Sequence, residues 1–169
     1  EGKIVSVTDG AGRVFAFAYA DGFLASVAAP DGTSVNYTYS GNNLYSVTYP
    51  NGKKVTISYV ANKPYEVILY DGEDVIYVVH YTFTGDRMTE VKEYGVKDRV
   101  YILGARTEYN YSAASRRTVV TTYEQADGDE PAETIRTVYT FDDEGNVLGQ
   151  YLYSQDTGNV GLEGEQSGI

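Results

Sequence analysis

Four glycines, Gly12, Gly32, Gly52 and Gly72, stand 20 residues apart, and around each the same order of turn residues and apolar residues recurs. A period of this length marks supersecondary units that cannot bury an apolar face alone and so must stack on their neighbours. The unit is clearest in Leu44-Tyr45-Ser46-Val47-Thr48-Tyr49-Pro50-Asn51-Gly52, followed by Val55-Thr56-Ile57-Ser58-Tyr59. The preceding copy, Leu24 to Tyr39, aligns with it residue by residue. In the same register the first copy supplies Ile4, Val7, Phe15, Phe17 and Tyr19, and the fourth supplies Val67, Val75, Tyr77 and Val79.

Within each unit the period is two. Val35, Tyr37 and Tyr39 alternate with Asn36 and Thr38, and Val55, Ile57 and Tyr59 alternate with Thr56 and Ser58. That spacing predicts half-buried strands with one apolar or aromatic face and one small, polar face. Pro30-Asp31-Gly32, Pro50-Asn51-Gly52 and Tyr70-Asp71-Gly72 each put Asp or Asn before a glycine that tolerates positive φ, the signature of a tight hairpin. The second connection of each unit, at Asp21-Gly22, Gly41-Asn42-Asn43 and Ala61-Asn62, uses residues of the same tolerance.

Two strands and two short turns per unit predict an all-β fold, an antiparallel meander of about ten strands whose twist curls it into a curved open sheet or a partial barrel or shell segment. Its apolar side, with Phe15, Phe17, Val35, Tyr37, Tyr39, Val55, Ile57, Tyr59, Tyr77 and Val79, would line the concave interior, whereas Ser46 falls on the polar face and should tolerate valine.

One repeat domain is expected over residues 1–153, regular at 3–91, divergent at 92–135 and repeat-like again at 136–153. The polar, acidic run 124–132 reads as an exposed loop, and 154–169, made mostly of Gly, Asp, Glu, Gln and Ser, reads as a flexible tail or linker. The chain starts inside a repeat, at Lys3-Ile4-Val5-Ser6-Val7-Thr8, as an excised piece would.

Eighteen tyrosines with no tryptophan and no cysteine suit a thin sheet, where a phenol covers an apolar face and keeps its hydroxyl near water. A net charge of −11 with scattered Lys and Arg argues against nucleic acid, whose phosphates need clustered cations. No apolar run reaches the ~20 residues of a spanning helix, so no membrane span is expected.

Little here points to catalysis. His80 is the one histidine and lies in the alternating run Val78-Val79-His80-Tyr81, where a polar-face role is the ordinary one. No Gly-x-Ser-x-Gly nucleophile motif occurs. Glu66, Glu73, Asp74, Glu90 and Glu93 are read as solvated acids in or near turns, with a paired acid/base site as the alternative. The acidic loops 127–130 and 142–146 lack the spacing and terminal Glu of an EF-hand, and no cofactor or metal is assigned to either.

The units Leu44 to Gly52 with Val55 to Tyr59, and Tyr139-Thr140-Phe141-Asp142-Asp143-Glu144-Gly145-Asn146-Val147, resemble the YD repeats of the Rhs family of large bacterial surface and secreted proteins. Here the Tyr-Asp pair is reduced to Phe141-Asp142 and to Tyr39-Ser40. The resemblance implies a non-catalytic module of a shell, stalk or surface scaffold, extracellular or cell-wall associated, with neighbouring repeats of the parent protein as its partners. The alternative is a carbohydrate-binding or adhesion module that stacks sugars or a cell-wall polymer on Tyr45, Tyr49, Tyr65 and Tyr70. Because little charge guards Ile4-Val5-Ser6-Val7, edge-to-edge self-association is also expected.

Overall fold

The structure is a computed structural model and describes residues 2–124 and 132–154. The expectations for the acidic loop and the tail fall almost wholly outside these residues. Every regular element described is a strand: β1 (Ser6–Thr8), β2 (Val14–Ala20), β3 (Phe23–Ala28), β4 (Ser34–Ser40), β5 (Asn43–Thr48), β6 (Lys53–Val60), β7 (Lys63–Asp71), β8 (Asp74–Thr84), β9 (Arg87–Lys97), β10 (Val100–Ser112), β11 (Arg117–Glu124), β12 (Ala132–Phe141) and β13 (Val147–Ser154). Among the described residues no helix is long and apolar enough to cross a membrane.

The sheet order is the chain order, β1 through β13, and β13 does not pair with β1. The expected all-β, antiparallel open meander is what forms, with thirteen strands rather than about ten. The divergent stretch carries the surplus: β9 and β10 run for 11 and 13 residues and are joined through Asp98 and Arg99, both at positive φ. That turn holds no glycine to announce it. The chain divides into two compact units, 1–78 and 79–169, with the division inside β8.

In the first unit the register builds two sets of rows. On one face Phe17 opposes Val27 and Val27 opposes Val35, while Tyr37, Val47, Val55 and Leu69 oppose one another in turn. On the other face Thr38, Ser46, Thr56 and Ile68 form one row and Asn36, Thr48, Lys54 and Tyr70 another. Each cross-strand pair contributes roughly 0.2–1 kcal/mol, so a long row accumulates stability from neighbour to neighbour. A register shift recurs at Tyr19, Tyr39 and Tyr59, where Ala25, Tyr45 and Tyr65 on the partner strands are the unmatched residues of a bulge. The bulge therefore has the same 20-residue period as the turns.

The two connections of a repeat differ. At Gly12, Gly32 and Gly52 the chain makes a three-residue loop: Gly52 N–H donates to the Tyr49 carbonyl (3.1 Å) and Tyr49 N–H to the Lys53 carbonyl (2.8 Å), with Gly52 at φ 83°. Asn51 is not at positive φ, so the turn bends through the glycine and not through an Asn-Gly pair. Gly72 (φ 62°) departs from its three counterparts, because it opens a two-residue connection between Asp71 and Asp74. Ala61 and Asn62, at φ 50° and 61°, form the mirror-image turn that suits a twisted hairpin.

Val78 and Val138, 0% and 4% exposed, are the buried hydrophobic residues among those described. The apolar rows are otherwise half-buried, and Phe15 is exposed, so they are covered by side chains of the same sheet and not by a packed interior. The expectation for Ser46 is overturned: it is 3% exposed, and its hydroxyl lies 2.7 Å from that of Thr38. A small residue between two threonines on a crowded polar row is buried by its neighbours' side chains.

Candidate functional site

Of the four tyrosines singled out from sequence, Tyr45 and Tyr65 sit at equivalent bulges of successive repeats and are exposed. Tyr49 is the exposed first residue of the Gly52 turn. Tyr70 lies opposite Lys54, on the face that carries Thr56 and Ile68, and is half-buried. The four therefore do not share one row. The ring stacking of this unit lies elsewhere: Phe23 and Tyr39 are 4.7 Å apart with an interplanar angle of 28° and line, with Tyr37, Ala25 and Gly41, a shallow cavity of about 280 Å3.

The turns are clamped by carboxylates and amides. Asp31 Oδ1 accepts the Thr33 N–H (2.9 Å) and hydroxyl (2.7 Å), and Asn51 Oδ1 accepts the Lys53 N–H (3.1 Å). Where proline does not occupy the second turn position the clamp moves to the first. Asp9 takes the N–H groups of Ala11 and Arg13, and Asp142 takes those of Glu144 and Asn146. The acidity of these groups follows. The Arg13 N–H and guanidinium hold Asp9 below the usual carboxylate value, the Thr33 hydroxyl and N–H do so for Asp31, and the Asn146 side chain and N–H do so for Asp142. These oxygens are filled by N–H and O–H donors, which makes them turn clamps.

In the second unit a charged band crosses one face. Lys92 opposes Arg106 and Arg106 opposes Tyr123; one step along, Glu90 opposes Glu108 and Glu108 opposes Thr121. Like charges thus stand directly opposite, and each is neutralised along its own strand, Lys92 to Glu90 at 2.9 Å and Arg106 to Glu108 at 3.5 Å. The Arg106 guanidinium lies 4.3 Å from the Tyr123 ring centroid, and its buried Nε has no hydrogen-bond partner. Glu66, Glu90 and Glu93 therefore sit within strands, not turns, because their units have longer strands than the glycine spacing suggested. On the opposite face burial pushes the Tyr109 phenol up, helped by Tyr111 and Glu93. His80 packs against Tyr94, ring centroids 5.1 Å apart. Among the described residues no three His, Cys, Asp or Glu side chains group as metal ligands.

The largest concavity is a groove of about 540 Å3 in this second unit. It is built where the β8–β9, β10–β11 and β12–β13 connections meet, because alternate turns of a meander return to the same end of the sheet. Arg87, Tyr111, Arg116, Arg117, Phe141 and Glu144 contribute to its walls. The Arg87 guanidinium lies 5.3 Å from the Tyr111 ring centroid. Arg116 pairs with Asp143, and its carbonyl accepts the Phe141 N–H (3.0 Å), tying two turns together. Reading the sequence missed this site because its arginines belong to different hairpins. The alternation of turns between the two ends of a meander was the signal that would have gathered them.

Comparison with known proteins leaves the chain without a family: no family model matches it, and no curated protein does. Among solved structures it is similar to a Bacteroides fragilis protein of unknown function, with 15% identity over 71% of this chain and 78% of the other, at a TM-score of 0.42.

Proposed function

We propose that this chain is a non-catalytic structural and interaction module of a bacterial extracellular protein of the Rhs, YD-repeat kind, in which repeated hairpins supply length of wall or stalk. One observation carries the reading: turn, strand and bulge recur every 20 residues in register, while almost no apolar side chain is buried. A sheet of that kind gains stability by adding neighbours, and its partners are further repeats of the same parent protein. Charge, fold and polar turns suit display outside the cell.

Exposure of Tyr45, Tyr49 and Tyr65 favours a second reading, in which the first unit stacks a cell-wall polysaccharide. Two measurements on the parent protein separate the readings. Antibody raised against residues 3–91 should label intact, unpermeabilised bacteria, and labelling only after permeabilisation would overturn the extracellular assignment. Cell-wall retention of the parent should be unchanged by replacing all three tyrosines with alanine; loss of retention would transfer the function to the tyrosines.

A further inference from the structure

We infer that the groove in the second unit is a binding site for an acidic saccharide, a sugar ring bearing a carboxylate. This goes beyond the scaffold reading and does not depend on it, since the groove belongs to the divergent hairpins and not to the regular repeats. Its volume of about 540 Å3 lies within the ~300–1,000 Å3 common to small-ligand sites.

The charges of the groove divide into those already used and those that are not. Asp142 spends both carboxylate oxygens on its own turn, Oδ1 on the Glu144 and Asn146 N–H groups and Oδ2 on the Asn146 side chain. Asp143 and Arg116 neutralise each other. Arg117 has no ion pair among the described residues. Arg87 is held over Tyr111 through the face of its guanidinium, an arrangement that leaves its N–H edge for a ligand. Two guanidinium groups against the single carboxylate of Glu144 leave the groove cationic, in a chain whose net charge is −11. A guanidinium fork matches a carboxylate, and each such bond is charge-assisted.

A bare anion would need only the arginines. Tyr111 and Phe141 add ring faces to the same walls, and Ser112 and Thr118 add hydroxyls. Aromatic faces for the C–H side of a ring, hydroxyls for its edges and guanidinium for its carboxylate together describe a uronate. A concavity formed by three tied turns also suits a short oligosaccharide better than the flat surface of a protein.

The test is calorimetric titration of the full chain with trigalacturonate, with maltotriose as the neutral counterpart and a glutamate tripeptide as the acidic peptide. Trigalacturonate should bind, with affinity falling as salt rises. Arg87→Gln and Arg117→Gln should each weaken binding by about tenfold or more with the circular dichroism spectrum unchanged, while Lys53→Gln in the first unit should leave it unaltered. Absence of trigalacturonate binding at millimolar concentration, equal binding of maltotriose, tighter binding of the peptide, or indifference to both arginine substitutions would each overturn the assignment.

Discussion

Single side chains decide the turns, and their chemistry is shared between copies. Asp31 and Asn51 occupy the same position in successive loops, and only the first can titrate. The folded-state acidities of Asp9, Asp31 and Asp142 are lowered from the ordinary value of 3.8. Their contribution is therefore complete above that value and is lost as pH falls through it toward the lower folded-state values. Thermal unfolding should shift downward between about pH 6 and about pH 3, and Asp31→Asn should reduce that shift by making this loop resemble the Asn51 loop. Gly52, at φ 83°, should lose roughly 1–3 kcal/mol when replaced by valine, which is strained in that region. Ser46→Val should cost about 1–2 kcal/mol by a different route, removing a buried hydroxyl that Thr38 uses as partner. Chemical denaturation of the two variants checks both values. A neutral Ser46→Val would show that the Thr38 hydroxyl finds another partner.

At the scale of strands and hairpins, equivalent positions are not energetically equivalent. Tyr39 and Tyr59 hold the same place beside a bulge, yet Tyr39 stacks on Phe23, and the residue in the place of Phe23 one repeat later is Asn43. Tyr39→Ala should therefore destabilise by about 0.5–1.5 kcal/mol more than Tyr59→Ala, the contribution of an aromatic pair beyond its buried area. Equal denaturation midpoints for the two variants would contradict this. Much of this level was legible in the sequence. Period-two alternation located the strands of the first four units, and the glycine spacing located the Gly12, Gly32 and Gly52 loops. Three features were not legible. The bulge adds a residue without any special residue type, since Ala25 and Tyr45 both serve; the Asp98-Arg99 turn uses residues with no turn signature; and the burial of Ser46 depends on which side chains flank it across two strands. All three are set by pairing across the sheet, which a local pattern does not encode. The groove was hidden for the same reason, since its walls come from connections remote in sequence.

For the molecule as a whole, the absence of a packed apolar interior among the described residues makes the edges decisive. β1 has three residues, and Ile4, Val5 and Val7 beside it are exposed. Lys3 is drawn inward, its Nζ donating to the Gly22 carbonyl (2.6 Å) and lying 4.8 Å from the Tyr19 ring centroid. Its charge is thus directed away from the edge. Sedimentation should reveal concentration-dependent self-association that Val5→Lys suppresses, because a charge on an open edge discourages a second copy. A strict monomer at millimolar concentration would contradict this. The central claim is that residues 44–63 form an interchangeable unit whose stability comes from its two neighbours. It is tested most directly by duplicating those 20 residues in phase after Lys63 and measuring denaturant unfolding. The expected result is a single cooperative transition, with an undiminished midpoint and a steeper denaturant dependence in proportion to the added surface. A lowered midpoint, or a second transition for the inserted segment, would show that the repeats are not interchangeable and would contradict the account.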